Sequence, residues 1–155
     1  MPVEFDFTSP TDKPALVGLD SFTGQNAIRD TLKELGYKVH EAVNHEDFIQ
    51  RFSQLQYQVV VIEELFNATK PEENLSLVTM QRLQMSLRRH SVFFLVGDAF
   101  STLNTLQAFQ HSVHAVVNRL DLPNFGTIVQ QVVAETNLFL ATYRDTQTRI
   151  AQGKL

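Results

Sequence analysis

The 155-residue chain has no cysteine. That excludes a disulfide framework, a thiolate metal site and a catalytic thiol. Positive charge is also scarce: 13 Lys and Arg stand against 17 Asp and Glu, a formal charge of −4. A nucleic-acid surface usually needs a basic stripe, so no nucleic-acid partner is expected. No apolar run is long enough to span a bilayer, which removes the membrane as a partner. The opening Met1-Pro2-Val3-Glu4-Phe5-Asp6-Phe7 is acidic and lacks the basic start of a secretory signal, so the expected location is cytoplasmic. The six glycines are scattered and form no phosphate-cradling loop. No serine sits in a nucleophile-elbow pattern. Of His40, His45, His90, His111 and His114, only the last two are close in sequence. They straddle the end of an expected helix and the start of an expected strand, with no carboxylate at ligand spacing. Neither a hydrolytic enzyme nor a histidine metal site follows, and no enzymatic activity or cofactor is expected.

What is present is organised around Gln58-Val59-Val60-Val61-Ile62-Glu63-Glu64. Four apolar residues, three of them β-branched, read as a strand buried on both faces. The two acids then fall at its carboxyl end, where open α/β sheets collect ligands and chemistry. Around it, short apolar runs alternate with helical patterns. Ala15–Leu19 reads as a first strand ending at Asp20, followed by a helix from Thr23 or Gly24 to Leu35 with Ala27, Ile28, Leu32 and Leu35 inward. Gly36 suits the left-handed position that ends it. Lys38–Ala42 is a second strand. Asn44 caps a helix with Asp47 in a box-like position and a stripe of Phe48, Ile49, Phe52 and Leu55. After the central strand, 67–74 reads as a loop. A helix follows over Leu75–Arg89 with Leu77, Met80, Leu83 and Leu87 inward, its carboxyl end complemented by Arg88, Arg89 and His90. Val92–Val96 is a strand, Ser101–Gln110 a short helix using Leu103, Leu106 and Phe109, and His114–Asn118 a last strand. Asp121 is placed to cap a long final helix with Pro123 in its first turn. Its stripe runs from Phe125 through Ile128, Val129, Val132, Val133, Thr136, Phe139 and Leu140 to Tyr143, and the helix extends toward Arg149. The alternation implies a parallel sheet covered by helices on both faces.

Five βα units of this size resemble the receiver domain of bacterial two-component response regulators, and the resemblance reaches into particular residues. Leu16-Val17-Gly18-Leu19-Asp20-Ser21-Phe22 looks like the first strand and acidic turn of the single-domain chemotaxis regulators. Leu32-Lys33-Glu34-Leu35-Gly36-Tyr37 looks like the end of their first helix. The implied fold is a five-stranded, doubly wound, flavodoxin-like (βα)5 receiver fold with an extended C-terminal helix. The implied organisation is an arm over 1–13, a receiver-like domain over 14–143 and a helical tail over 144–155. The implied role is in phosphorelay signalling.

The family's functional positions are altered. Its acidic Mg²⁺-holding pair aligns with Leu19 and Asp20, and its phosphorylated Asp with Glu63. Its hydroxyl residue aligns with Gly97, its switching aromatic with Val116, its Lys with Arg119 and the following Pro with Leu120. Glu reaches about one methylene further than Asp, and ~1 Å of misplacement can cost ~10²-fold in an in-line transfer. Gly97 offers no hydroxyl, and Arg119 keeps the charge of Lys without its compact geometry. Asp20 and Glu63 remain as two carboxylates able to hold Mg²⁺ weakly. Asp98 reads as a solvated turn residue. Glu63 and Arg119 either form an ion pair that mimics the modified state, or Arg119 swings out to water. The favoured reading is a pseudo-receiver that works by binding other signalling proteins without phosphorylation. A receiver accepting phosphate on Glu63 in a rebuilt acidic pocket, and an orphan structural subunit, are the alternatives. By resemblance, the partner face is Ser101–Gln110, His114–Asn118 and 124–143. Phe139, Leu140 and Tyr143 on the last helix need cover, most simply from a homodimer.

Overall fold

The computed structural model describes residues 12–20 and 25–153. Its framework is five strands: β1 (Lys13–Gly18), β2 (Tyr37–Glu41), β3 (Val59–Glu63), β4 (Val92–Gly97) and β5 (Ala115–Asn118). All neighbours are parallel, in the order β2-β1-β3-β4-β5. β3 is central, and every residue in it is buried. Its alternate side chains feed two separate cores, as period-two strands require. Val59 and Val61 pack with Ile28 and Leu32 of α1 (Gln25–Glu34) and with Phe125, Ile128, Val129 and Val132 of the last helix. Val60 and Ile62 pack on the opposite face with Phe48 of α2 (His45–Gln54) and with Leu77 and Met80 of α3 (Leu75–Gln81). This is the doubly wound parallel architecture that the alternating pattern implies. The segment 21–24, where the first helix is expected to open, lies outside the described residues, as does the expected arm up to residue 11. Lys13, placed in that arm, already belongs to β1.

Local signals set most element ends. Gly36 takes the left-handed conformation (φ 90°) after α1. Asn44 accepts from the Asp47 amide at 2.8 Å, and Asp47 reaches back to the Val43 amide at 2.9 Å. The box therefore closes one residue earlier than expected, on Val43. Ala27 is exposed, so Ile28 and Leu32 are the residues that α1 buries.

The helix expected over Leu75–Arg89 is two helices. α3 stops at Gln81, Gln84 is extended (φ −61°, ψ 145°), and α4 (Met85–Arg88) starts afresh. The break carries the Arg88 guanidinium over the Phe93 ring, 5.2 Å from its centroid, and within hydrogen-bond reach of the Ser112 carbonyl. Leu87 is consequently exposed rather than inward. Arg89 does serve the helix end, donating from Nε to the Met85 carbonyl at 3.3 Å. α5 (Thr105–Gln110) is also shorter than expected and buries only Ala108. Leu106 and Phe109 face solvent, the latter 82% exposed.

Asp121 does not cap the last helix. Residues Arg119–Asn124 form a short 3-10 helix, and α6 (Phe125–Ala151) begins after it. Asp121 instead accepts from the Thr102 hydroxyl. At 27 residues, α6 is about 40 Å long at ~1.5 Å per residue. Its first turns fill the core, and beyond Val133 it is largely exposed. It ends where Gly153 adopts φ 68° and donates to the Ile150 carbonyl at 3.0 Å, a glycine stop encoded in the helix itself. Among the described residues no helix is long and apolar enough to cross a membrane.

Candidate functional site

The sheet brings Asp20, Glu63, Asp98 and Arg119 to its carboxyl edge, at the ends of β1, β3, β4 and β5 respectively. Glu63 is the centre of the group and is 3% exposed. Both its carboxylate oxygens are engaged. Oε2 accepts from the backbone amide of Asp20 at 3.0 Å, and Oε1 accepts from Arg119 Nη2. Arg119 also donates from Nη1 to Asp98 Oδ2 at 3.2 Å, so one guanidinium bridges two acids. Asp98 is thus a partner of Arg119 although its side chain is 75% exposed. Of the two arrangements open to Glu63 and Arg119, the structure holds the ion pair.

Burial pushes the Glu63 carboxyl above its usual range. The Asp20 amide and then the Arg119 guanidinium pull it back, while the Asp20 and Asp98 carboxylates push it up again. The charge is therefore held in place by two donors that both come from other strands' ends.

The acids are braced from the loop after β3. The Asn67 amide donates to both oxygens of Asp20, at 3.1 and 3.3 Å. Asn67 has φ 45° and ties the loop down further through its own side chain, Nδ2 to the Val43 carbonyl at 3.1 Å. Asn74 is fully buried and makes three bonds. Its Nδ2 donates to the Glu63 and Glu64 carbonyls at 2.9 and 3.0 Å, and its Oδ1 accepts from the Leu77 amide at 3.1 Å. It caps α3 and ties off β3 at once. Asn118 does similar work at β5, donating to the Phe100 carbonyl at 2.9 Å and accepting from the Leu120 amide at 2.9 Å.

The other aligned positions do not converge on the carboxylates. Leu19 is buried in the core shared with α1 and α6. Val116 is fully buried in the opposite core. Gly97 lies at the end of β4, where a Cβ would stand 3.0 Å from the Phe100 ring and 3.3 Å from the Glu64 Cβ. The ring occupies the space that a hydroxyl-bearing side chain would need. Leu120 is 87% exposed. Phe139, Leu140 and Tyr143 lie far along α6, on the half that leaves the domain.

Sequence reasoning missed Asn67, Asn74 and Asn118. Asn74 had a readable signal as a cap residue directly before the Leu75 helix. Its reach to the β3 carbonyls had none, because that depends on where the loop returns.

No family model matches the chain, and no curated protein matches it. Solved structures do. The chemotaxis response regulator CheY4 of Vibrio cholerae is 14% identical with a TM-score of 0.57, over 79% of this chain and 99% of that one. The receiver domain of the sensor histidine kinase PA1611 of Pseudomonas aeruginosa, described with a magnesium ion coordinated in its active site cleft, is 13% identical with a TM-score of 0.58, over 79% and 98%. A response regulator from Hahella chejuensis is 15% identical with a TM-score of 0.54, over 83% and 96%. At these identities the likeness establishes the fold. The chain has the fold of the response regulator receiver domains, with a long last helix.

The residues present do not fit the magnesium that the fold implies. Mg²⁺ needs several oxygens free to ligate at close to octahedral geometry. Here both Glu63 oxygens and the Asp20 carboxylate already accept hydrogen bonds, a guanidinium stands beside Glu63, and Leu19 supplies no side-chain oxygen. Among the described residues no group of three or more His, Asp or Glu is arranged to hold a metal.

Proposed function

We propose that this receiver-fold protein transmits signals by binding other proteins and does not accept a phosphoryl group. One observation carries the reading: the carboxylate in the phospho-acceptor position is buried with both oxygens occupied, one by Arg119 and one by the Asp20 amide. Attack on a phosphodonor needs a carboxylate oxygen free to approach to roughly 3–3.5 Å. Freeing Oε1 would break a charge-assisted bond to a guanidinium, and the pocket has neither a hydroxyl at Gly97 to meet a phosphoryl oxygen nor a second acid at Leu19 to help hold a metal. The Arg119 charge takes the place of a metal or modification and holds Glu63 in one arrangement. A buried pair of this kind can fix a single conformation whatever its net worth in stability.

The binding role is supported by surface. Leu106 (64% exposed) and Phe109 (82% exposed) project from α5, beside the edge strand β5. Two large apolar side chains exposed three positions apart on one helix support an interaction surface there. Phe139 on α6 adds a second one, suited to self-association.

Intact mass after incubation with Mg²⁺ and acetyl phosphate, with Glu63→Asp alongside, tests the reading. No adduct on the unaltered protein is expected. An Mg²⁺-dependent, alkali-labile adduct mapping to Glu63 would refute it, and the protein would then be a phosphate-driven switch.

A further inference from the structure

The outer half of α6 is exposed, yet its sequence is not that of a solvated helix. Val129, Thr136, Tyr143 and Ile150 recur every seven residues, and Phe125, Val132, Phe139 and Thr146 do so three positions on. That is the heptad spacing of a helix–helix seam. Phe125, Val129 and Val132 are buried in the domain core. The same seam then runs past the domain edge, where Phe139 is 72% and Ile150 55% exposed. Arg89 fixes its direction. The guanidinium lies 5.0 Å from the Tyr143 ring centroid, and Nη1 donates to the Tyr143 hydroxyl at 2.7 Å. The rod is therefore tied to the domain rather than free to fold back on it.

We infer that a second copy of this chain covers the seam, with its α6 antiparallel. The inference rests on the reading of the protein as a protein-binding module and names one partner. The sequence is complementary to itself in one register, centred on Ala141. In that register Phe139 meets Tyr143 of the second copy, Thr136 meets Thr146, and the two Leu140 side chains flank the twofold axis. Ile150 falls at the level of Val132, where the second domain's core begins. Outside the seam, Glu135 meets Arg149, and the twofold makes the pair occur twice. Flanking charges of this kind set orientation in paired helices. A parallel pair places Glu135 against Leu140, so only the antiparallel arrangement pairs Glu135 with Arg149 between copies.

Sedimentation equilibrium of the full chain over a wide concentration range, at low salt, should show a monomer–dimer equilibrium. Glu135→Arg and Arg149→Glu should each weaken it about 3–10-fold, the scale of exposed ion pairs made and reversed twice. Mixing the two variants should restore it, because each then meets its opposite. Arg149 also pairs with Asp145 of its own helix at 3.2 Å, but mixing cannot repair damage within one helix, so recovery reports the contact between copies. The chain has no cysteine, so Thr136→Cys and Thr146→Cys give clean cross-links. They should join each other in a mixture and not themselves. Three results would overturn the inference: a monomer at every concentration, a dimer indifferent to both charge reversals, or self-linking Thr136→Cys, which reports a parallel pair or another face. A phosphoryl adduct on Glu63 would defeat the functional reading and leave the dimer standing. A monomer would defeat the dimer and leave the functional reading standing.

Discussion

Replacing Arg119 with Met keeps much of the side chain's length and removes its charge, leaving Glu63 as a buried acid held by one backbone amide. Removing one member of a buried pair costs about 3–5 kcal/mol when both are fully enclosed. Glu63 is enclosed, at 4% side-chain exposure, but Arg119 is 29% exposed, so water recovers part of the loss and about 2–3 kcal/mol is expected at pH 7. The cost should depend on pH with a definite sign. Burial already holds the folded carboxyl above its reference of 4.5, and losing the guanidinium raises it further. A raised carboxyl contributes stability below the unfolded value, and that contribution disappears as pH rises through the folded value. The variant should therefore recover stability relative to the parent as pH falls from about 7 to about 5. The chain has no tryptophan, so urea unfolding followed by far-UV circular dichroism at the two pH values is the assay. Glu63→Gln and the double variant complete a cycle whose coupling should exceed about 1 kcal/mol. A loss under about 0.5 kcal/mol, equal at both pH values, would mean that the pair does not hold the pocket.

Three further outcomes follow from geometry. Gly97→Ser sets a Cβ at 3.0 Å from the Phe100 ring and should cost about 1–3 kcal/mol; unfolding of Gly97→Ser with and without Phe100→Leu should show the second change relieving the first. Asn74→Ala strips a partner from two β3-end carbonyls and from the Leu77 amide and should cost about 2–4 kcal/mol in the same assay, with amide exchange rising first at the start of α3. His114 accepts the Phe93 amide on Nδ1 at 2.9 Å, and burial and then the Arg88 charge lower it from 6.5 to about 4. Its contribution should be complete above about 6.5 and lost as pH falls to about 4. At ~1.36 kcal/mol per unit, discounted because part of the ring meets water, roughly 1–2 kcal/mol should be realised. His114→Gln should flatten that part of the stability–pH curve.

Much of the fold was legible because a parallel sheet buried on both faces writes itself as unbroken apolar runs. Val59–Ile62 and Val92–Val96 leave no competing reading, and strand ends moved by only one or two residues. The break after Gln81 was not legible. Leu77, Met80, Leu83 and Leu87 keep helical spacing through it, and the break goes with a tertiary contact, Arg88 over Phe93, that spacing does not encode. The inward reading of Leu106 and Phe109 failed for a related reason. Spacing shows that residues share a face, and packing decides whether that face is covered. At the site, Glu63 and Arg119 could be placed at one sheet edge from their strands alone. Whether they paired depended on side-chain direction. The Asn67 and Asn74 bonds depend on the return path of a loop, which no local pattern encodes.

α6 starts near the edge of the sheet that carries Glu63 and runs well past the domain, and a short 3-10 helix, Arg119–Asn124, leads into it from the arginine that holds the acid. It has the geometry of a lever with a short input and a long output, latched to the domain by Arg89 on Tyr143. A tilt of about ten degrees where α6 leaves the core, with the Arg89–Tyr143 tie released, would swing the end of the ~27 Å beyond Val133 by about 5 Å. That is close to a full helical turn of ~5.4 Å, and enough to move the seam around Phe139 and Ile150 out of register with whatever it touches. Displacements too small to see at the carboxylate edge would decide, at the other end, whether two surfaces meet or part.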